Sequence, residues 1–182
     1  MMREKKSTQV AIGGMASALC LLLMFMTGMI PFATFALPAL AGIVLIAVVV
    51  EMGRSTALLV YAAVSLLSLF MCPDKEAAMM FIGFFGFYPI LKGLLDRIRL
   101  RPLRMAAKFC VFNAAIVASY WIIINLFGLT EILEEMGAFG SATLLVTWLM
   151  GNAVFVAFDI ALGRICWTYE HVLRYRFFRK TR

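Results

Sequence analysis

The charges of this chain are confined to the gaps between six apolar stretches, and that arrangement leaves few folds open. The stretches run from about Gln9 to Ile30, Phe35 to Val50, Ser55 to Cys72, Ala77 to Leu91, Phe109 to Gly128 and Ser141 to Gly163. A helix needs about 20 apolar residues to cross a bilayer. Hydrophobic residues make up 64% of the 182 positions, which fills about six spans and leaves little for a soluble core. Charged residues are 15%, against about 25% in a soluble domain. The runs are continuously apolar, whereas a membrane barrel alternates apolar and polar residues along each strand. The expectation is an all-α, polytopic integral membrane protein: a six-transmembrane-helix bundle forming one domain over residues 1–182, followed within it by a basic interfacial tail over 164–182. A soluble enzyme, a nucleic-acid-binding domain and a disulfide-stapled module are excluded.

The distribution of basic residues predicts the orientation. Arg3, Lys5 and Lys6 precede the first stretch, and Arg54 separates the second from the third. Lys92, Arg97, Arg99, Arg101, Arg104 and Lys108 lie between the fourth and fifth, and Arg164, Arg174, Arg176, Arg179, Lys180 and Arg182 follow the sixth. With both termini cytoplasmic, only Lys75 of the 17 basic residues lies outside. Lys and Arg excess marks the cytoplasmic side, so the cell membrane with N- and C-termini inside is expected. The net charge of +7 then reflects topology. The first apolar run follows a basic head but exceeds the roughly 7–15 residues of a signal-peptide core, so it reads as an uncleaved helix. The second begins with Pro38 in its first turn, where a missing N–H costs least. The fourth is short and carries Gly83, Gly86 and Pro89.

Little here suggests catalysis, a cofactor or a metal. Cys20, Cys72, Cys110 and Cys166 form no C-x-x-C pair and read as small apolar residues. The only histidine, His171, sits in the basic tail. Zinc and nickel sites want clustered Cys and His. Glu134 and Glu135 read as a solvated outer loop, because acidic residues are costly in lipid. There is no Gly-rich phosphate loop followed by Lys and Ser or Thr, so active transport would draw energy from a partner or an ion gradient.

Several polar or small residues stand out. Ala11, Gly14 and Ala18 share one face of the first helix, with Gly13 and Ser17 as a second small pair. Such faces let helices approach closely, either a partner's helix or a neighbour in the same bundle. Asp74-Lys75-Glu76 is a charged knot that fits either a ligand contact or a turn begun by Pro73. Trp121, Asn125, Trp148 and Asn152 fit either a cavity for a small planar polar ligand or an aromatic belt with interhelical amide bonds. Asn113 reads as interhelical glue. Asp159 is expected to pair with Arg164 or with the basic middle loop, and Glu51 with Arg54. The middle loop and tail could meet anionic lipid headgroups.

The small-residue run Ile12-Gly13-Gly14-Met15-Ala16-Ser17-Ala18-Leu19, six helices in a chain of this length and two cytoplasmic termini together resemble the substrate-binding S component of energy-coupling factor (ECF) transporters. The succession Leu37-Pro38-Ala39-Leu40-Ala41-Gly42, Glu51-Met52-Gly53-Arg54, Pro73-Asp74 and Phe84-Phe85-Gly86-Phe87-Tyr88-Pro89 is similar to that family's second-to-fourth-helix rhythm. The resemblance implies a vitamin-binding subunit that hydrolyses no ATP itself. Two ATPase subunits and a membrane coupling protein would drive it. Its docking motif would fall at Gly14 and Ala18, where the family has two alanines. Its substrate site, in the outer half, would fall at Phe35, Asp74, Trp121, Asn125, Trp148 and Asn152. The first outer loop departs from the family in being short and uncharged. Metal cargo is disfavoured, because no N-terminal His is present. Two other readings stay open: a membrane scaffold of the cell-envelope machinery, similar to the rod-shape protein MreD, and a self-contained carrier or flippase. Inverted repeats would favour the carrier, and none is visible.

Overall fold

The computed structural model describes residues 2–30, 33–127 and 140–168. Seven α-helices account for nearly all of them: α1 (Met2–Met26), α2 (Ala36–Met52), α3 (Arg54–Met71), α4 (Lys75–Met80), α5 (Tyr88–Leu95), α6 (Arg101–Phe127) and α7 (Gly140–Thr168), with a π-helical turn, Phe81–Phe85, between α4 and α5. No strand occurs among the described residues. Five segments are long and apolar enough to cross a membrane: Gln9–Met26, Arg54–Met71, Lys75–Leu95, Arg101–Asn125 and Leu145–Thr168. The sixth apolar helix, Ala36–Met52, is shorter. The chain is thus an all-helical, multi-pass membrane protein. The outer loop from Leu129 and the tail beyond Thr168 lie outside the described residues.

Helices α1, α2 and α3 pack against one another, and α2 also lies against α5 and α7. Between them runs the composite segment Lys75–Leu95, the most buried of the five spans. Its interior residues Ala77, Ala78, Met80, Phe81, Phe84 and Tyr88 are sealed from the surface. Phe84 is the hub, with its ring 4.8 Å from Tyr88 and 5.1 Å from Phe112 of α6, and 5.7 Å from Phe155 of α7. Phe112 and Phe155 stack at 4.7 Å and 12°. Aromatic pairs at such spacings add to what burial alone contributes.

This segment departs from the short span its sequence predicts. Asp74 caps it, its carboxylate accepting from the Ala77 amide at 3.0 Å, and Glu76 sits in the first turn, where negative charge suits the helix dipole. The helix then widens into the π turn, closed by the Gly86 amide on the Phe81 carbonyl at 2.8 Å. Pro89 has no N–H to offer the Phe85 carbonyl one turn back. That carbonyl lies against Gly42 of α2, where a Cβ would collide with it. The Tyr61 hydroxyl donates to the Ile82 carbonyl at 2.6 Å. Tyr61 thus satisfies one of the carbonyls along this irregular membrane helix.

The connections at the two ends differ. Gly53 alone joins α2 to α3, in the left-handed region at φ 84, which glycine adopts without a Cβ clash. At the far end of α3, the Lys75 ammonium donates to the carbonyls of Leu69 at 3.0 Å and Cys72 at 3.1 Å. The Cys72 thiol lies 3.1 Å from the Met24 carbonyl and 3.3 Å from the Thr27 hydroxyl, tying that end of α3 to α1.

The contact at Gly42 generates a prediction. Gly42→Ala must push apart two backbones, and is expected to lower stability by about 1–3 kcal/mol. Gly14→Ala, with nothing within 4 Å of the added methyl, should cost no stability and is expected to gain about 0.5–1 kcal/mol from helix propensity. Thermal unfolding of the two purified variants in one detergent compares them.

Candidate functional site

Two polar clusters interrupt the apolar interior, both involving α6 and α7. The first is ionic. Asp159 of α7 lies in the last third of an apolar helix, and a carboxylate there demands partners. Its Oδ1 accepts from the Tyr88 hydroxyl at 2.7 Å and from the Lys92 ammonium. Lys108 of α6 donates to Oδ1 at 3.1 Å and Oδ2 at 2.9 Å. Both lysines also reach a second carboxylate, Asp96, just past the end of α5: Lys108 at 2.7 Å and Lys92 at 3.6 Å. The side chains of Lys92 and Lys108 are only 8% and 5% exposed and that of Asp159 16%, while that of Asp96 is 42% exposed. The cluster is therefore neutral as a whole, with a buried carboxylate on its inner side and a half-exposed one at its rim. Charges removed from water are tolerated only with this degree of mutual pairing and hydrogen bonding.

These contacts revise the sequence reading. Asp159 pairs with lysines flanking the middle loop, as one expectation had it, and not with Arg164. Lys92 and Lys108 belong to α5 and α6, which extend beyond the apolar runs. They are compensated interior charges, not free loop charges. The Glu51–Arg54 pair is not formed among the described ion pairs; the Arg54 guanidinium lies over Gly93, 3.0 Å from where a Cβ would stand. Arg54, Lys92, Asp96 and Lys108 thus mark one end of the bundle, the basic end.

The second cluster is an amide–indole network. The Trp148 indole N–H donates to Asn113 Oδ1 at 2.7 Å, and Asn113 Nδ2 donates to Asn152 Oδ1 at 3.1 Å. Asn113 also donates to the Phe109 carbonyl at 2.9 Å and Asn152 to the Trp148 carbonyl at 2.8 Å. Every amide group in it has a partner. The Trp148 ring is 56% exposed, so the network opens on the protein surface.

Of the expected substrate residues, the structure brings together Trp148 and Asn152 and adds Asn113. Asn125 donates to the Trp121 carbonyl at 2.8 Å, and the Trp121 ring is exposed. Phe35 is an exposed residue preceding α2. Asp74 is engaged as a helix cap, and beside it the Tyr120 hydroxyl donates to Glu76 at 2.9 Å. No hydrogen bond among the described residues joins Phe35, Asp74, Trp121 or Asn125 to the Trp148 network. The two small pairs on α1 separate cleanly. Gly13 is buried, and a Cβ there would stand 3.5 Å from Val60 of α3, whereas Ala11, Gly14 and Ala18 are exposed. Beside that open face, Ile12, Met15, Ala16, Leu19, Val44, Ala47, Val48 and Glu51 line a shallow groove of about 190 Å³ between α1 and α2. The four cysteines are free, and no group of three or more His, Cys, Asp or Glu among the described residues could hold a metal.

Sequence reasoning passed over Tyr88 and Asp96 in the ionic cluster. One signal was available. Asp96 is the only acidic residue between Glu76 and Glu131 and stands four residues after Lys92, the spacing of a helical ion pair.

No protein-family model, curated protein or solved structure matches this chain.

The ionic cluster makes a stability prediction. Asp159→Asn leaves two buried ammonium groups with only the rim carboxylate, and is expected to destabilise the protein by about 3 kcal/mol. Arg164→Gln, outside the cluster, should be near neutral. Unfolding curves of both variants in mixed detergent micelles measure the difference.

Proposed function

We propose that this protein is a non-enzymatic, substrate-binding membrane subunit that takes up a vitamin-like small organic molecule, energised by partner ATPases through a membrane coupling protein. The reading keeps the resemblance to S components of energy-coupling factor transporters, with six spans in the cell membrane and both termini cytoplasmic. The observation that carries it is the outward small-residue face of Ala11, Gly14 and Ala18. A face of this kind on a membrane helix suits close approach of another helix, and the described residues leave it uncovered. The segregation of arginines to one end supports the orientation. The surface-open network of Trp148, Asn113 and Asn152 supports a planar polar ligand, since aromatic walls with a few convergent amides are the usual lining of such sites.

One observation favours a second reading, a scaffold of the cell-envelope machinery. The amides of the network are already satisfied by one another, and Phe35, Asp74, Trp121 and Asn125 stand apart from it. A scaffold would use the same α1 face for protein partners and would hold no ligand.

Gentle-detergent isolation of the tagged protein from native membranes, read by mass spectrometry, separates the two. The uptake reading expects ATPase subunits with a membrane coupling protein. Envelope-synthesis proteins without any ATPase would replace it by the scaffold. On the uptake reading, Gly14→Leu and Ala18→Leu each abolish co-purification while the protein still folds. Asn152→Leu abolishes ligand binding, measured by isothermal titration against the cargo that co-purifies. Association that survives both bulky substitutions on α1 would remove the docking role.

A further inference from the structure

We infer that Lys92 and Lys108 form a binding site for a singly charged oxyanion, occupied in this structure by the Asp96 carboxylate and open to the phosphodiester of an acidic phospholipid headgroup. The inference does not depend on the transport reading. It starts from the asymmetry of the two carboxylates that share the lysines. Asp159 is held from three sides, by Tyr88, Lys92 and Lys108, on an interior helix. Asp96 belongs to the connection after α5, is held by the lysines alone among the described side chains, and has a side chain 42% exposed. Of the two, only Asp96 can leave for water without rearranging a helix.

The charge of what it would leave behind selects the ligand. Without Asp96, the buried group consists of two ammonium ions against one carboxylate, a single uncompensated positive charge. Such a charge is expensive away from water, so departure of Asp96 requires that one monoanion take its place. A metal cation is repelled, and a dianion overcompensates. The position of Asp96 Oδ1, 2.7 Å from the Lys108 ammonium, marks where an incoming oxygen would sit. Arg97 and Arg99 are exposed on the same α5–α6 connection, and Arg101 is exposed at the start of α6. Basic residues at the end of membrane helices attract anionic headgroups. The phosphodiester of a lipid such as phosphatidylglycerol bears one negative charge and is concentrated at the membrane surface, which favours it over a dissolved anion.

The test is titration of the purified full-length protein in neutral detergent with phosphatidylglycerol, read as lipid occupancy by native mass spectrometry and as shift in unfolding temperature. Phosphatidylcholine and dimethyl phosphate serve as comparison ligands. If Asp96 competes for the site, Asp96→Asn binds phosphatidylglycerol about tenfold more tightly than the wild type. Adding Lys108→Gln to Asp96→Asn cancels the gain. Glu51→Gln removes the same charge from the same end outside the cluster, and should leave affinity unchanged. Equal or weaker binding by Asp96→Asn, or an equal gain in Glu51→Gln, overturns the site. Saturable binding of dimethyl phosphate with no preference for phosphatidylglycerol overturns the lipid as its ligand. Asp96 is half-exposed and α7 keeps its own carboxylate in the Asp96→Asn variant, so that variant folds and decides the matter even where the lysine variant does not.

Discussion

The carboxylate of Asp159 joins three elements, α5, α6 and α7, at the basic end of the bundle. It draws Tyr88 and Lys92 from α5 and Lys108 from α6 onto α7. In a bilayer, helices gain nothing from hiding apolar surface from lipid. Apolar residues can therefore fill the space between α6 and α7, but they select no particular partner or register. A charge that must be matched does select one. The ionic cluster fixes α7 against α5 and α6 near the basic end, the Phe112–Phe155 stack continues the seam, and the amides of Asn113 and Asn152 fix it again further along. The rotation of α7 about its own axis is thereby determined by polar residues one, two and three turns apart.

The same constraint governs the central segment. Lys75–Leu95 carries a proline and three glycines where a regular helix is wanted, and it is nevertheless the most buried span. Its irregularity is possible because of its position. Tyr61 supplies the donor for Ile82, and Gly42 lets the Phe85 carbonyl come close. Facing lipid, the same sequence would leave backbone groups with no partner, which hydrocarbon does not tolerate.

The spans themselves were legible in the sequence because apolar runs of this length have few alternatives. Each of the six apolar stretches falls in a helical segment, five of them long and apolar enough to cross a membrane, and the fourth is longer than its apolar core and divided by the π turn. The apolar runs marked where the hydrocarbon is, not where the helices stop. Lys92 and Lys108 were consequently assigned to a loop, when they are helical and buried. The candidate site was less legible. Trp148 and Asn152 are four residues apart and stay together on one helix face, so local spacing found them. Asn113 joins them from a different helix, and no spacing rule along one strand of sequence could show that. Phe35 came by positional likeness to a family, whereas Asp74, Trp121 and Asn125 also stood out by residue type, and no hydrogen bond among the described residues joins any of the four to the Trp148 network.

The single-residue connection at Gly53 bears on how the protein reaches its membrane. Helix α2 has 17 residues, about 26 Å at 1.5 Å per residue, somewhat less than the roughly 30 Å of hydrocarbon it faces. With α3 attached through one glycine, neither helix has slack to enter the bilayer before the other. The two therefore behave as one hairpin, and its one-residue turn leaves little backbone for a protease to reach.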